Sequence, residues 1–109
     1  MNRKYIEYKL MEIGFSPAYK GFGYIVDAIL ILGDPEWQCS KITQAYEKIA
    51  KIHKSTYARV EKDIRYALKA ARNTKNPNVN QYLGTDYPQT KNTLYRILYS
   101  LSMDSEIVA

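Results

Sequence analysis

Residues 48–72, KIAKIHKSTYARVEKDIRYALKAAR, constrain what this chain can fold into more than any other stretch. Advancing about 100° per residue from Tyr57 to Arg72, as an α-helix requires, puts Tyr57, Val60, Ile64, Ala67, Leu68 and Ala71 on one face. Arg59, Lys62, Arg65, Tyr66, Lys69 and Arg72 fall on the other. Such a helix buries its apolar stripe against the domain and leaves the basic stripe in water. Upstream, Tyr46, Ile49, Ala50 and His53 mark a shorter helical pattern that breaks at Ser55 and Thr56. A Ser or Thr hydroxyl can accept there from an otherwise orphaned backbone N–H and so start the next helix. The outline is helix, short turn, longer basic helix: a helix-turn-helix over about residues 41–72.

The charge distribution says what such a motif would meet. Between Lys41 and Lys75 stand ten Lys/Arg against three Asp/Glu, while the rest of the chain holds six against eight, for a net charge of +5. All the positive excess is therefore gathered around the motif. A basic helix face is often no more than a solvated surface. Concentration onto the outer face of a turn-linked helix favours a polyanion, and phosphate above all.

Helical periodicity continues on both sides. Ile6, Leu10 and Ile13 recur at helical spacing and Gly14 is placed to stop that helix. Ser16 and Pro17 read as the cap and first residue of a second helix, which carries Tyr24, Ala28, Ile31 and Leu32 inward and ends at Gly33, Asp34 and Pro35. The third is expected to begin near Ser40. After the basic helix comes a loop at 73–78, a short helix from Val79 to Leu83 stopped by Gly84, and a second loop through Thr90. A last helix from about Lys91 to Leu101 buries Leu94, Tyr95, Leu98 and Leu101, with residues 102–109 expected as a frayed tail. No stretch shows the period-two alternation of a strand, so the fold class is all-α. The expectation is a single domain over 1–109, a compact bundle of about five or six helices.

Several functions are excluded. The longest apolar run, Ala28–Leu32, falls far short of the ~20 residues that cross a bilayer. The N-terminus has no signal-peptide core. One cysteine, Cys39, allows no internal disulfide, which fits a cytoplasmic protein. One histidine and one cysteine make no metal site, and no nucleophile has a candidate base, so neither a cofactor nor an enzyme is expected. Gly21, Phe22 and Gly23 lack the rest of a phosphate-binding loop and read as easing a helix start. His53 reads as a packed or capping residue at a helix end. Eleven tyrosines suggest base stacking of the single-strand-binding kind. Tyr24, Tyr46, Tyr57 and Tyr95 fall on core faces, however, and packing accounts for them better; Tyr66 alone lies on the basic face.

A family resemblance rests on runs spread along the chain. They are Glu12, Ile13 and Gly14; Pro17 through Tyr24; Ala28 and Ile29; Ile42 and Thr43; Ile49 through Lys51; and above all Ser55 through Leu68. With Leu83, Gly84 and the helix from Thr90 to Leu101, they resemble the C-terminal DNA-binding domain of the master sporulation response regulators, the stage zero sporulation protein A family, over about residues 4–101. The resemblance implies a six-helix effector that regulates transcription by reading a short box in double-stranded DNA through the helix at about 56–72. It implies base contacts by Arg59 and Glu61, and contacts to the DNA backbone or groove by Lys62, Arg65 and Tyr66. The side-chain chemistry suits those roles. An arginine fork matches the O6 and N7 edge of guanine, a carboxylate accepts from the amino group of cytosine, and further cations neutralise phosphates. Lys51, Lys54, Ser55 and Lys69 join the backbone contacts from the first motif helix, the turn and the far end of the basic helix.

Tyr66 stands where the family usually has histidine, and Lys62 where it usually has arginine. Residues 42–50 lack the family's Leu-Tyr-Pro. The family normally carries a phosphoacceptor domain for which 109 residues leave no room, so the chain is expected as an excised domain or a stand-alone protein. Tandem boxes would allow a homodimer on DNA. A second reading is a protein-binding module or inhibitor whose basic helical face engages an acidic protein partner.

Overall fold

The computed structural model describes residues 1–36, 41–83 and 90–108, the last four as backbone only. Helix α1, Arg3–Ile13, starts where the Asn2 side chain accepts from the Tyr5 N–H. It stops at Gly14, whose φ of 120° lets the Phe15 N–H return to the Leu10 carbonyl at 2.9 Å. Ser16 and Pro17 do not open the next helix. They form a turn of their own, in which Ser16 Oγ accepts from the Ala18 N–H and the Ser16 carbonyl from the Tyr19 N–H. Helix α2, Lys20–Leu32, follows that turn.

Helix α2 is the axis of the bundle. Phe22, Tyr24, Ile25, Val26, Ala28, Ile29 and Ile31 are all buried, and neighbours pack on it from α1, α3, α4 and α6. A helix apolar on nearly every side belongs in the core. Gly21 has a task beyond easing a helix start. A Cβ there would stand 2.1 Å from the Asp63 carbonyl oxygen and 2.8 Å from the Ala67 Cβ, so only glycine lets α2 come this close to α4.

Helix α3, Ile42–Ile52, buries Ala45, Tyr46, Ile49 and Ala50. Helix α4, Tyr57–Arg72, buries Val60, Ile64, Ala67, Leu68 and Ala71, the face expected from periodicity. Tyr57 departs from that face. It opens the helix over the turn and stays 39% exposed, its ring tilted against Tyr46 with centroids 5.7 Å apart. Arg72 leaves the basic stripe as well. Its guanidinium donates to the Leu83 carbonyl and to Thr93 Oγ1, both at 3.2 Å, and so ties α4 to the helices that follow.

The loop after α4 is fastened to the end of α1, because the amides of Asn76 and Asn78 both donate to the Glu12 carbonyl. Helix α5, Asn78–Leu83, and helix α6, Thr90–Val108, close the bundle. Leu94, Ile97 and Leu101 carry the burial on α6, with Thr93; Tyr95 and Leu98 are half-buried. The chain from 102 to 108 continues α6 instead of leaving it at Leu101. Two hydroxyls hold this end: Tyr5 Oη donates to the Leu101 carbonyl, and Tyr82 Oη donates to Asp104. Among the described residues there are six helices and no strand, an all-α bundle. The expected start near Ser40, the stop at Gly84 and the loop at 85–89 lie outside the described residues.

Candidate nucleic-acid interface

The turn between α3 and α4 is built entirely from local hydrogen bonds. His53 ends α3, and Lys54 adopts φ 52°, the left-handed conformation usually given to glycine. The Ser55 N–H then reaches the Ala50 carbonyl at 2.8 Å and the Lys54 N–H the Lys51 carbonyl at 3.4 Å. This pair of reversed bonds satisfies carbonyls that the end of α3 would leave orphaned. Thr56 starts α4, its Oγ1 accepting from the Arg59 N–H at 3.2 Å. Of the two hydroxyl residues that could cap, Thr56 is the one that does.

The turn is also anchored from behind. His53 Nε2 lies 2.5 Å from Asp27 Oδ2 on α2, while Asp27 Oδ1 accepts from Arg3 of α1 at 2.6 Å. The Tyr24 ring meets the His53 ring edge to face, with centroids 5.0 Å apart. The expected capping and packing role of His53 is thus present, with a carboxylate that periodicity could not reveal. It sets the turn, and with it the first residues of α4, against two other helices.

From Thr56 onward α4 presents its cations to solvent. Arg59, Lys62, Arg65 and Lys69 are all exposed, and Tyr66 beside them is 59% exposed. Arg59, Lys62 and Lys69 have no side-chain partner among the described residues, so their charge is available. Arg65 is different, because its Nε sits 3.5 Å from Glu61 Oε1 four residues back. Glu61 lies half-buried at the edge of the stripe, not in its middle. Behind it, Tyr46 Oη is buried with no hydrogen-bond partner among the described residues. Burial, with Glu61 second, pushes the Tyr46 phenol well above its ordinary pKa.

Lys51 occupies the last turn of α3 and Lys54 the turn itself, both exposed; Ser55 between the helices is half-buried. One neighbour of the stripe has no signal in the sequence. Tyr19, just before α2, sets its ring edge-on against Tyr66, with centroids 5.6 Å apart.

A short turn, a capped second helix and a row of exposed cations on that helix make up the candidate interface. The chain matches, over residues 6–99, the family model of the sporulation initiation factor Spo0A C terminal. It belongs to the Spo0A C-terminal family. No curated protein matches the chain. The Spo0A C-terminal family is a DNA-binding domain of transcription regulators in sporulation. The match takes in all of α2 to α5, most of α1 and about half of α6. No helix among the described residues is long and apolar enough to cross a membrane.

Proposed function

We propose that this Spo0A-type domain binds double-stranded DNA sequence-specifically as a cytoplasmic transcriptional regulator, with α4 lying in the major groove. Arg59 and Glu61 face base edges from the first turns of α4, where recognition helices make their base contacts. Lys62, Arg65, Tyr66 and Lys69 meet the backbone along the same face, and Lys51, Lys54 and Ser55 meet it from α3 and the turn. Glu61 can accept from a cytosine amino group while its partner Arg65 turns to a phosphate. Homodimer formation on tandem boxes belongs to the same reading.

The observation that carries it is the unneutralised run of Arg59, Lys62 and Lys69 on a helix whose start is fixed by the Thr56 cap. Such a face is both charged for phosphate and rigid enough to address bases.

Selection from a randomised duplex library over a salt series tests it. The reading predicts an enriched box, and an affinity that falls with salt at a slope of about 0.9 per phosphate contact. Binding no stronger to any duplex than to random sequence would defeat it. Stoichiometric capture of an acidic protein by the same face would then favour a protein-binding module or inhibitor.

A further inference from the structure

The basic face of α4 ends in a cleft that lies beyond its base-reading residues. The cleft has a volume of about 380 Å³ and is lined by Tyr19, Tyr66, Lys69, Ala70 and Asn73. Two elements build it: the second half of α4 with its last cap, Asn73, and the residue that precedes α2. Tyr19 braces Tyr66 edge-on at an interplanar angle of 71°, yet both rings stay open to solvent, at 40% and 59%.

The lining is rich in donors. Two phenol hydroxyls, one ammonium and one carboxamide can all donate a hydrogen bond, and among the described residues no carboxylate lines the cleft. Lys69 has no ion-pair partner among the described residues. The carbonyl end of α4 carries partial negative charge and disfavours an anion on the helix axis. Residues 66, 69 and 70 lie along the side of the helix, however, and Lys69 supplies the positive charge there. This chemistry suits a phosphate.

Helix length indicates which phosphate. Lys69 lies ten positions beyond Arg59, about 15 Å along the axis at 1.5 Å per residue. The major groove is only about 12 Å wide. With Arg59 at a base edge and the axis of α4 inclined across the groove, Lys69 reaches the bordering sugar–phosphate strand. We infer that the Tyr19–Tyr66–Lys69–Asn73 cleft seats one backbone phosphate flanking the recognised box, so that the footprint runs past the bases that α4 reads. The inference rests on the proposed reading of duplex DNA by α4 and adds a second element, the start of α2, to the interface.

The test uses the selected duplex with a neutral methylphosphonate placed at one phosphate at a time through both flanks. Wild-type protein should lose about 3- to 10-fold in Kd at one flanking position. Lys69→Ala should erase that loss and lower the salt slope by about one, while the losses at phosphates nearer the box remain. Tyr66→Phe and Tyr19→Phe should weaken binding without changing the slope, since they remove donors and no charge. If Lys69→Ala keeps every wild-type flank penalty while the box still binds, the cleft seats no phosphate although α4 reads DNA. If no duplex is preferred over random sequence, the reading by α4 fails and the inference with it.

Discussion

Replacing Gly21 or Gly23 by alanine should move stability in opposite directions, although both lie in the first turn of α2. At Gly21 the new Cβ would stand 2.1 Å from a backbone oxygen, that of Asp63, and 2.8 Å from the Ala67 Cβ. Comfortable contact between such atoms is about 3.5 Å, so α2 and α4 must part by more than about 1 Å. No rotamer change relieves a clash with backbone. Overpacking of this kind costs up to about 3 kcal/mol, against a gain of about 1 kcal/mol for removing a helical glycine. The net loss is about 2 kcal/mol, or roughly 8 °C in Tm for a domain of this size. At Gly23 none of the described residues comes within 4 Å of the new Cβ, so only the gain of about 0.5–1 kcal/mol remains. Urea unfolding followed by far-UV circular dichroism measures both, as shifts in midpoint at constant slope. Equal stability of the two variants would refute the close approach of α2 to α4. Because α4 carries the basic face, Gly21→Ala should also weaken DNA binding at temperatures where it is still folded.

Three smaller predictions follow from the turn and the buried phenols. Lys54→Gly relieves a side chain held at φ 52° and should stabilise the fold by about 0.5–1 kcal/mol in urea unfolding. Tyr46→Phe removes a buried hydroxyl without a partner among the described residues, so stability should stay level or rise by up to about 1 kcal/mol; a clear loss would reveal a partner for that hydroxyl. Burial, and then the hydrogen bond to Asp104, pushes the Tyr82 phenol up to about 12 from an ordinary value near 10. An acid held neutral in this way stabilises the fold fully below pH ~10 and loses that contribution as pH rises through ~12. The urea midpoint of wild type should therefore fall across that window more steeply than that of Tyr82→Phe, and parallel curves would contradict the shift.

What could be read from the sequence was whatever a single helix determines for itself. The stripe of Val60, Ile64, Ala67, Leu68 and Ala71, the stop at Gly14 and the cap at the start of α4 follow from periodicity and local hydrogen bonding, and the structure has them. Misreadings occurred where a partner distant in sequence decides. Arg72 has the spacing of the basic face, but the Leu83 carbonyl and Thr93 draw it off. Gly21 carries no mark of the α4 backbone passing over it, and Leu101 none of the tyrosines that extend α6 past it. Ser16 and Pro17 are a local exception: they have the composition of a helix start but close a turn of their own through bonds to Ala18 and Tyr19. For the interface, the cationic stripe was legible as charge at helical spacing. The pairing of Glu61 with Arg65 joins residues four apart on α4. The Tyr19–Tyr66 contact and the anchor of His53 on Asp27 join residues far apart in the chain and had no local signal.

The most direct test of α4 as the reading helix compares Arg59→Ala with Lys62→Ala on the selected box and on each of its single-base variants, over a salt series. Arg59→Ala should flatten the preference at one base pair by about 1–3 kcal/mol, and Lys62→Ala should weaken all sequences alike and lower the salt slope by about one. If Arg59→Ala instead weakens every sequence equally and leaves the preference at each base pair intact, α4 does not read the bases through Arg59.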